Sequence, residues 1–520
     1  MYCSHLFVPL SANTYFEVNR RFYTIYALAM LLLLFAACTK NSDVVTTNDI
    51  KEQQPTPIEF DSYLQQSKQG SAKAPTRATY PATAAVGEID NDKLKTLSFG
   101  VFSQHTGNTA WTSAGKETPF NFMWNQQVDW NSSLTNWTYS PVKYWPNDNQ
   151  PADNNGAQGS QEHSYLSFFA YAPYTAVATP GSGMDHTATP IDDGIVKITA
   201  NNSNVSGSYL TYRTSNATPY STESSVDLLW AIPQKDLYKT KATGEGYTTG
   251  TVNLAFKHAL SLFTITVQGL FDHANNDDTS ITYPDDRDMY SHILIESVDF
   301  DDSPLFKEGN MYIAPNPVDA TVPHWDVNSA TGQNITIDGL DVNSTLSNSY
   351  LEGTVKKFWD EATPANGLLK DTDMDEDGDV DAADALALYN LLPKGVSHEE
   401  VPLYYETDHY YMVLPNKEYR DANPSEKMKV RIVYYVITYD ERLTLVKTGY
   451  PKFFSIVKND ITATFDTFSF EPNKKYKLRL QPGLTSAKFE VTAVDGWDTP
   501  LTIDPEVVDW YETPIEYNVE

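Results

Sequence analysis

At 520 residues the chain is too long for one hydrophobic core, and its length favours two folded domains plus tails. Its 37 Lys and Arg stand against 68 Asp and Glu, a net charge of -31, which argues against nucleic acid as a partner because a phosphate backbone needs a basic counter-surface. Cys3 and Cys38 cannot form a disulfide framework, so the folded part must hold by packing, and its 33 Tyr, 23 Phe and 10 Trp suit sheets packed face to face.

In chain order, Arg20 and Arg21 precede an apolar run at 26–37, YALAMLLLLFAA, which ends at Cys38. The run is shorter than the roughly 20 residues of a comfortable membrane span. A basic flank, a short apolar core and Phe35-Ala36-Ala37-Cys38 resemble a lipoprotein signal with its lipobox, which implies a signal peptide over 1–37 and acylation of Cys38. An ordinary signal peptide or a buried helix is the alternative. Residues 38–79 are rich in Thr, Ser, Gln, Asn and Pro, the composition of a flexible tether or propeptide. That segment ends near Arg77-Ala78, where a lone Arg in a polar stretch is open to a trypsin-like protease or is simply a solvated charge.

From 80 to 270 the pattern is of short strands separated by turn signals. Candidates lie at 97–104, 120–130, 137–145, 165–174, 195–199, 208–212 and 226–233, with no sustained helical period. The stretch 251–269, TVNLAFKHALSLFTITVQG, alternates Val252, Leu254, Phe256 and then Phe263, Ile265, Val267. It reads as two strands closing the first half. An antiparallel β-sandwich is the natural product of such a pattern. Trp137, Tyr139, Trp145, Phe168, Phe169 and Trp230 are expected in the core or in cross-strand pairs, with an aromatic glycan-stacking platform as the alternative. His258 has no nucleophile beside it and no second His at ligand spacing, so packing is its expected role.

The second half, 271–497, restarts the strand pattern at 292–300 and 309–314 and continues at 410–415, 429–439, 475–480 and 488–497. An insertion over about 351–400 interrupts it. There, residues 373–384 place Asp373, Asp375, Asp377, Asp381 and Asp384 at loop positions 1, 3, 5, 9 and 12, with Gly378 at position 6 and the Asp379 carbonyl at 7. That register meets the demand of Ca²⁺ for six to eight oxygens. A helix over 384–392 is expected to leave the loop, and Asp at position 12 resembles a dockerin repeat. An acidic, solvated loop is the alternative. The tail 498–520 is broken by Pro500, Pro505 and Pro514 into extended pieces anchored by Val507, Val508, Trp510, Ile515, Tyr517 and Val519; it is either disordered or a strand donated to a neighbour.

An ordered set of motifs ties these segments together: WTYSPVKYWP from Trp137, SFFAYAPY from Ser167, DLL from Asp227, FKHALS from Phe256, and then Pro472-Asn473-Lys474-Lys475-Tyr476 and Val494-Asp495-Gly496-Trp497. The set resembles the fimbrillin family, the FimA-type and Mfa-like subunits of type V pili, over about 76–497. The resemblance implies an all-β chain of two tandem transthyretin-like antiparallel β-sandwich domains, here with a small loop-helix calcium insertion. It implies export as a lipoprotein to the outer membrane and display in the fimbrium. It also implies cleavage after an Arg, for which Arg77 is best placed, with the vacated groove filled by another pilin subunit's strand. The alternative is a tip adhesin or glycan-binding surface lipoprotein that does not polymerise, with a host or bacterial surface glycan or protein as partner. No nucleophile-elbow serine, phosphate-cradling glycine loop, HExxH or CxxC is present, and no enzymatic activity is expected.

Overall fold

The computed structural model describes residues 55–65, 88–111, 119–146, 164–177, 185–187, 193–200, 207–214, 225–238, 250–269, 291–300, 302–315, 319–327, 336–338, 381–389, 395–396, 400–403, 410–441, 443, 453–497 and 506–512. They fold mostly as β-sheet with sandwich character, as the alternation of apolar and polar residues predicts.

The first sheet has eight strands. In spatial order these are Glu59–Leu64, Thr251–His258, Leu229–Ala231, Tyr165–Ala172, Phe99–Gly107, Met123–Asn131 and Asn136–Thr138, with Gln234–Leu237 beside Tyr165–Ala172. Five strands form the second: Trp325–Val327, Glu308–Tyr312, Tyr209–Arg213, Gly194–Thr199 and Asp185–Thr187. A third runs Val401–Pro402, Ser261–Val267, Lys474–Pro482, Ser486–Asp495 and Glu506–Glu512, with Tyr411–Val413 also on Ser261–Val267. The fourth is Thr336–Asp338, Ser291–Asp299, Met428–Tyr439 and Phe454–Phe465.

Burial sorts the apolar residues into three cores. Phe60, Phe99, Val101, Trp137, Trp145, Phe168, Leu254 and Phe256 make one, on one face of the first sheet. Its other face, with Phe102, Phe169 and Tyr171, packs on Ile198, Leu210, Tyr212, Met311 and Trp325 of the second sheet. The third and fourth sheets enclose the remaining core between Ile265, Leu478, Phe489, Ile293, Ile432 and Tyr434. Trp137, Trp145, Phe168, Phe169 and Trp230 are all buried, so their rings offer no open stacking platform.

The structure corrects the reading of 251–269. Thr251–His258 stays in the first sheet, but Ser261–Val267 belongs to the third, paired with Lys474–Pro482 in parallel. Only Ala259 and Leu260 separate them, and both sit in the core between the first and second sheets. The division at residue 270 also fails at the second sheet, where Tyr209–Arg213 pairs with Glu308–Tyr312 from beyond it. Alternation reveals that a segment is a strand; it cannot say which sheet the strand joins, because pairing is settled by contacts distant in sequence. The sheets are also not wholly antiparallel: Glu59–Leu64 with Thr251–His258 is a second parallel pair.

Candidate functional site: a strand groove in the first sheet

The segment expected to be a flexible tether, 38–79, contains the Glu59–Leu64 strand. Its sequence, Ile58-Glu59-Phe60-Asp61-Ser62-Tyr63-Leu64, alternates in the manner of a strand, and that local signal was masked by the polar composition around it. Ile58, Phe60 and Leu64 point into the core and are at most 6 % exposed, while Glu59, Asp61 and Tyr63 face outward.

The strand is the edge of the first sheet, paired along one side, and the residues leading into it are bonded on the other. On one side it runs parallel to Thr251–His258, with Glu59 opposite Thr251 and Leu64 opposite Phe256. The backbone N–H of Glu59 donates to the Gly250 carbonyl at 3.0 Å, and that of Gln65 donates to the Phe256 carbonyl at 2.8 Å. On the other side the Ile58 N–H donates to the Lys143 carbonyl at 2.9 Å, and the Trp145 N–H donates to the Thr56 carbonyl at 3.0 Å. Across the entrance, the Trp145 indole donates to the Gly250 carbonyl at 3.0 Å. Gly250 has φ +79, and a Cβ there would lie 3.1 Å from the Pro57 carbonyl oxygen, so the position demands glycine for both conformation and space.

Inside, the Phe60 ring meets Tyr139 at 5.3 Å, Phe168 at 5.9 Å and Phe99 at 6.3 Å between centroids. The Tyr139 hydroxyl donates to the Ile58 carbonyl at 2.9 Å. Burial pushes that phenol up to about 12, so it stays a neutral donor throughout the physiological range. Ser62 breaks the apolar row: its hydroxyl is buried and finds no hydrogen-bond partner among the described residues. Leu64 is tied at its N–H to the Asn91 side chain at 2.7 Å.

At the opposite end of Thr251–His258 lies a junction of the first and third sheets. His258 Nδ1 meets Asp227 Oδ2 at 2.8 Å with both side chains buried, and the Ile89 N–H donates to the same oxygen at 2.9 Å. The imidazole lies flat on Trp497, 3.7 Å away at 5°. Asn473 accepts from the His258 N–H at 3.3 Å and donates its own N–H to the Leu260 carbonyl at 3.0 Å. With its ring covered and its nitrogen bound to a carboxylate, His258 is a packing residue of this joint.

Of the residues singled out in the sequence, Cys38, Arg77, Ala78, Asp373, Asp375, Asp377 and Asp379 lie outside the described residues, as does Gly378. Arg77 falls in the sequence between Leu64 and Ile89, the two anchored ends described above. Asp381 and Asp384 are described: Asp384 is fully buried and its Oδ2 accepts from the Asp381 N–H at 2.8 Å. The helix Ala382–Tyr389 that follows is docked on the fourth sheet, with the Tyr439 hydroxyl donating to the Ala382 carbonyl at 2.8 Å and Tyr389 stacked on His292 at 4.5 Å. No cluster of three metal-ligating side chains occurs among the described residues, and no helix among them is long and apolar enough to cross a membrane. The tail is not wholly free: Glu506–Glu512 is an antiparallel strand on Ser486–Asp495.

No family model matches the chain. It is similar to the fimbrium subunit Fim1C of Phocaeicola vulgatus, 26 % identical over 162 residues, which covers 31 % of this chain and 33 % of that protein. The chain therefore matches about a third of the length of that curated relative. Among solved structures, a fimbrial protein from Bacteroides vulgatus aligns over 88 % of this chain and 99 % of its own at 16 % identity, with a TM-score of 0.45. The fimbrial anchor protein Mfa2 from Porphyromonas gingivalis aligns over 85 % and 98 % at 8 % identity, with a TM-score of 0.25.

Proposed function

We propose that the chain is a structural subunit of cell-surface fimbriae, assembled with other fimbrial subunits by strand exchange after proteolytic removal of its N-terminal segment. What carries this is the Glu59–Leu64 strand. It is an edge strand on an apolar floor, paired in parallel with Thr251–His258 and entered through Thr56 and Ile58, which bond to Trp145 and Lys143, yet its link in sequence to the rest of the fold runs through residues 65–88, which include Arg77. Cleavage after Arg77 would turn an internal strand into a separable peptide and leave Ala78 as the new terminus. The exposed slot would then offer unpaired backbone groups and an apolar floor, both of which favour strand addition. Export as a lipoprotein with Cys38 acylated would hold the precursor at the outer membrane until that cut. The similarity to Fim1C supports the fimbrial role.

The slot also favours a polymerising subunit over a tip adhesin or glycan-binding lipoprotein, which would need an open platform where this chain buries its rings. The test is Arg77→Gln in the full chain. Loss of fibres under the electron microscope, with the protein still exported and folded, supports the proposal; fibres of wild-type length would reject it.

We propose further that residues 373–384 take one Ca²⁺ through Asp373, Asp375, Asp377, the Asp379 carbonyl, Asp381 and Asp384. The set is all oxygen, as a hard cation requires. Burial of Asp384 at the start of a helix fixed to the fourth sheet supports a stiffening role for this lobe. Isothermal titration should show one site that Asp373→Ala with Asp377→Ala removes; titration without heat on the wild-type chain would reject it.

A further inference from the structure

The outer face of the second sheet carries an ordered set of side chains that the assembly does not use. In Tyr209–Arg213, Leu210 and Tyr212 are fully buried in the core against the first sheet, which turns Tyr209, Thr211 and Arg213 outward. Glu308–Tyr312 follows the same rule, with Met311 inside and Glu308, Asn310 and Tyr312 outside. Residues directly opposed in an antiparallel pair share a face, so the pairing lines these side chains up across the strands. Tyr209 stands opposite Tyr312, and the Tyr312 N–H donates to the His324 carbonyl at 3.0 Å, just before the edge strand Trp325–Val327. An aromatic row results. Tyr209 and Tyr312 are 5.9 Å apart and Tyr312 and His324 4.9 Å apart between centroids, with the rings tilted by 56° and 43°. Beside it runs a polar row of Lys197, Thr211, Asn310 and Asp326.

We propose that this face binds a neutral oligosaccharide, whose ring faces stack on Tyr209 and Tyr312 and whose hydroxyls bond to the adjoining polar groups. Both tyrosines are half-buried, so part of each ring is open to solvent. Neither phenol has a hydrogen-bond partner among the described residues, and nor does the Asp326 carboxylate. The Asn310 side-chain oxygen accepts from the Thr211 hydroxyl at 2.9 Å, which leaves its amide N–H groups facing outward for a ligand. Burial, and next the Asp326 carboxylate, hold the Tyr312 phenol above its ordinary value, so it stays a neutral donor.

Charge selects the class of ligand. The ionic groups of the face are matched among themselves: Arg213 donates to Glu308 at 2.7 Å, His324 Nδ1 donates to Glu418, and the Lys197 ammonium lies 5.8 Å from the centre of the Tyr209 ring. The net charge of -31 repels an anionic ligand, and Lys197 and Arg213 oppose a cationic one. A neutral polyol needs apolar surface for its C–H groups, together with donors and acceptors for hydroxyls that act as both. The rings, the two phenols, the Asn310 amide and the Asp326 carboxylate supply these, and a balanced face is complementary to a ligand without charge. The aromatic residues singled out in the sequence take no part, since they are buried. None of the residues of either row belongs to Glu59–Leu64 or to the core beneath it, so binding here requires neither cleavage nor polymerisation.

The test uses the unassembled full chain carrying Arg77→Gln, applied to a printed array of neutral, sialylated and sulfated oligosaccharides, with affinities for the retained members taken by isothermal titration. Neutral members should be retained in preference to charged ones. Tyr209→Ala and Tyr312→Ala should each weaken binding about tenfold, or about 1.4 kcal/mol. Tyr312→Phe, which keeps the ring and loses the hydroxyl, should weaken it less. Unfolding midpoints separate lost stacking from lost folding: Asp326→Ala, at an exposed position, should weaken binding without moving the midpoint. Retention of no neutral oligosaccharide, preference for the charged members, or unchanged affinity in a chain with both Tyr209→Ala and Tyr312→Ala each overturns the inference. If that double variant loses stability while the wild-type chain binds nothing on the array, the row is a cross-strand pair only, and the assembly proposed above still stands.

Discussion

Two parallel strand pairs grow from the one continuous stretch 251–267, and they differ in how their partners are held. Ser261–Val267 lies beside Lys474–Pro482, which is locked by a hairpin to Ser486–Asp495 through nine opposed residues. Thr251–His258 lies beside Glu59–Leu64, which has core contacts of the same quality but no hairpin. Packing alone would make the two partners equally permanent. On the proposed cleavage, connectivity would make one of them a fixture and the other a plug, because a cut in the residues between Leu64 and Ile89 would release only the latter.

The contrast can be broken most sharply by truncation on each side. Phe60→Ala should cost about 3–5 kcal/mol in the uncut chain, and Leu478→Ala about 2–5 kcal/mol, each read by denaturant unfolding. After cleavage at Arg77 and removal of the fragment, the Phe60→Ala penalty should vanish and the Leu478→Ala penalty persist. Equal persistence of both would show that the first pair is as permanent as the second.

A smaller effect is expected where the two sheets meet. Asp227→Asn removes the carboxylate that binds His258 and the Ile89 N–H, and should cost about 1–3 kcal/mol. Hydrogen exchange should rise at Ile89 and His258 and not in the Met428–Tyr439 strand. Ile89 follows Arg77 in the sequence, so on the proposed cleavage this contact would limit how far the new N-terminal segment peels. Uniform loss of protection across both halves would contradict that local role.

Smaller still is the pH response of the His324–Glu418 pair, which joins the end of the second sheet to the short helix Lys417–Ala422. The hydrogen bond to Glu418 raises the His324 pKa above the ordinary histidine value, with burial opposing it. A raised value means that the contribution is fully present below about pH 6.5 and is lost as pH rises through the folded-state value. Both groups are partly exposed, so the change should stay below about 1 kcal/mol. Glu418→Gln should flatten it, as measured by unfolding midpoints across that range. Tyr63→Ser, on the outward face of the plug, should change stability by no more than about 0.5 kcal/mol. A loss matching that of Phe60→Ala would mean the alternation of the strand has been misassigned.

Much of the fold was legible in the residues themselves. The alternation at 429–439 and 475–480 became Met428–Tyr439 and Lys474–Pro482, and the aromatic motifs around Trp137 and Phe168 became core. What sequence could not supply was partnership. Ser261–Val267 alternates just as Thr251–His258 does, yet one joins the third sheet and the other the first, because Lys475 and Trp230, far off in sequence, decide it. The plug was hidden for a different reason. Seven residues of alternation from Ile58 to Leu64 are outweighed by the Gln-, Ser- and Thr-rich composition on either side, and the register becomes visible only when Phe60 is set among Phe99, Tyr139 and Phe168.

The central claim is that Glu59–Leu64 is a removable occupant of its sheet. It is tested most directly by quantitative mass spectrometry of purified fibres and of the unassembled chain after cleavage at Arg77. The account predicts that peptides spanning residues 55–65 are present in equal ratio to the rest of the chain before assembly and are absent from fibres. Fibres that retain those peptides at one per subunit would contradict it.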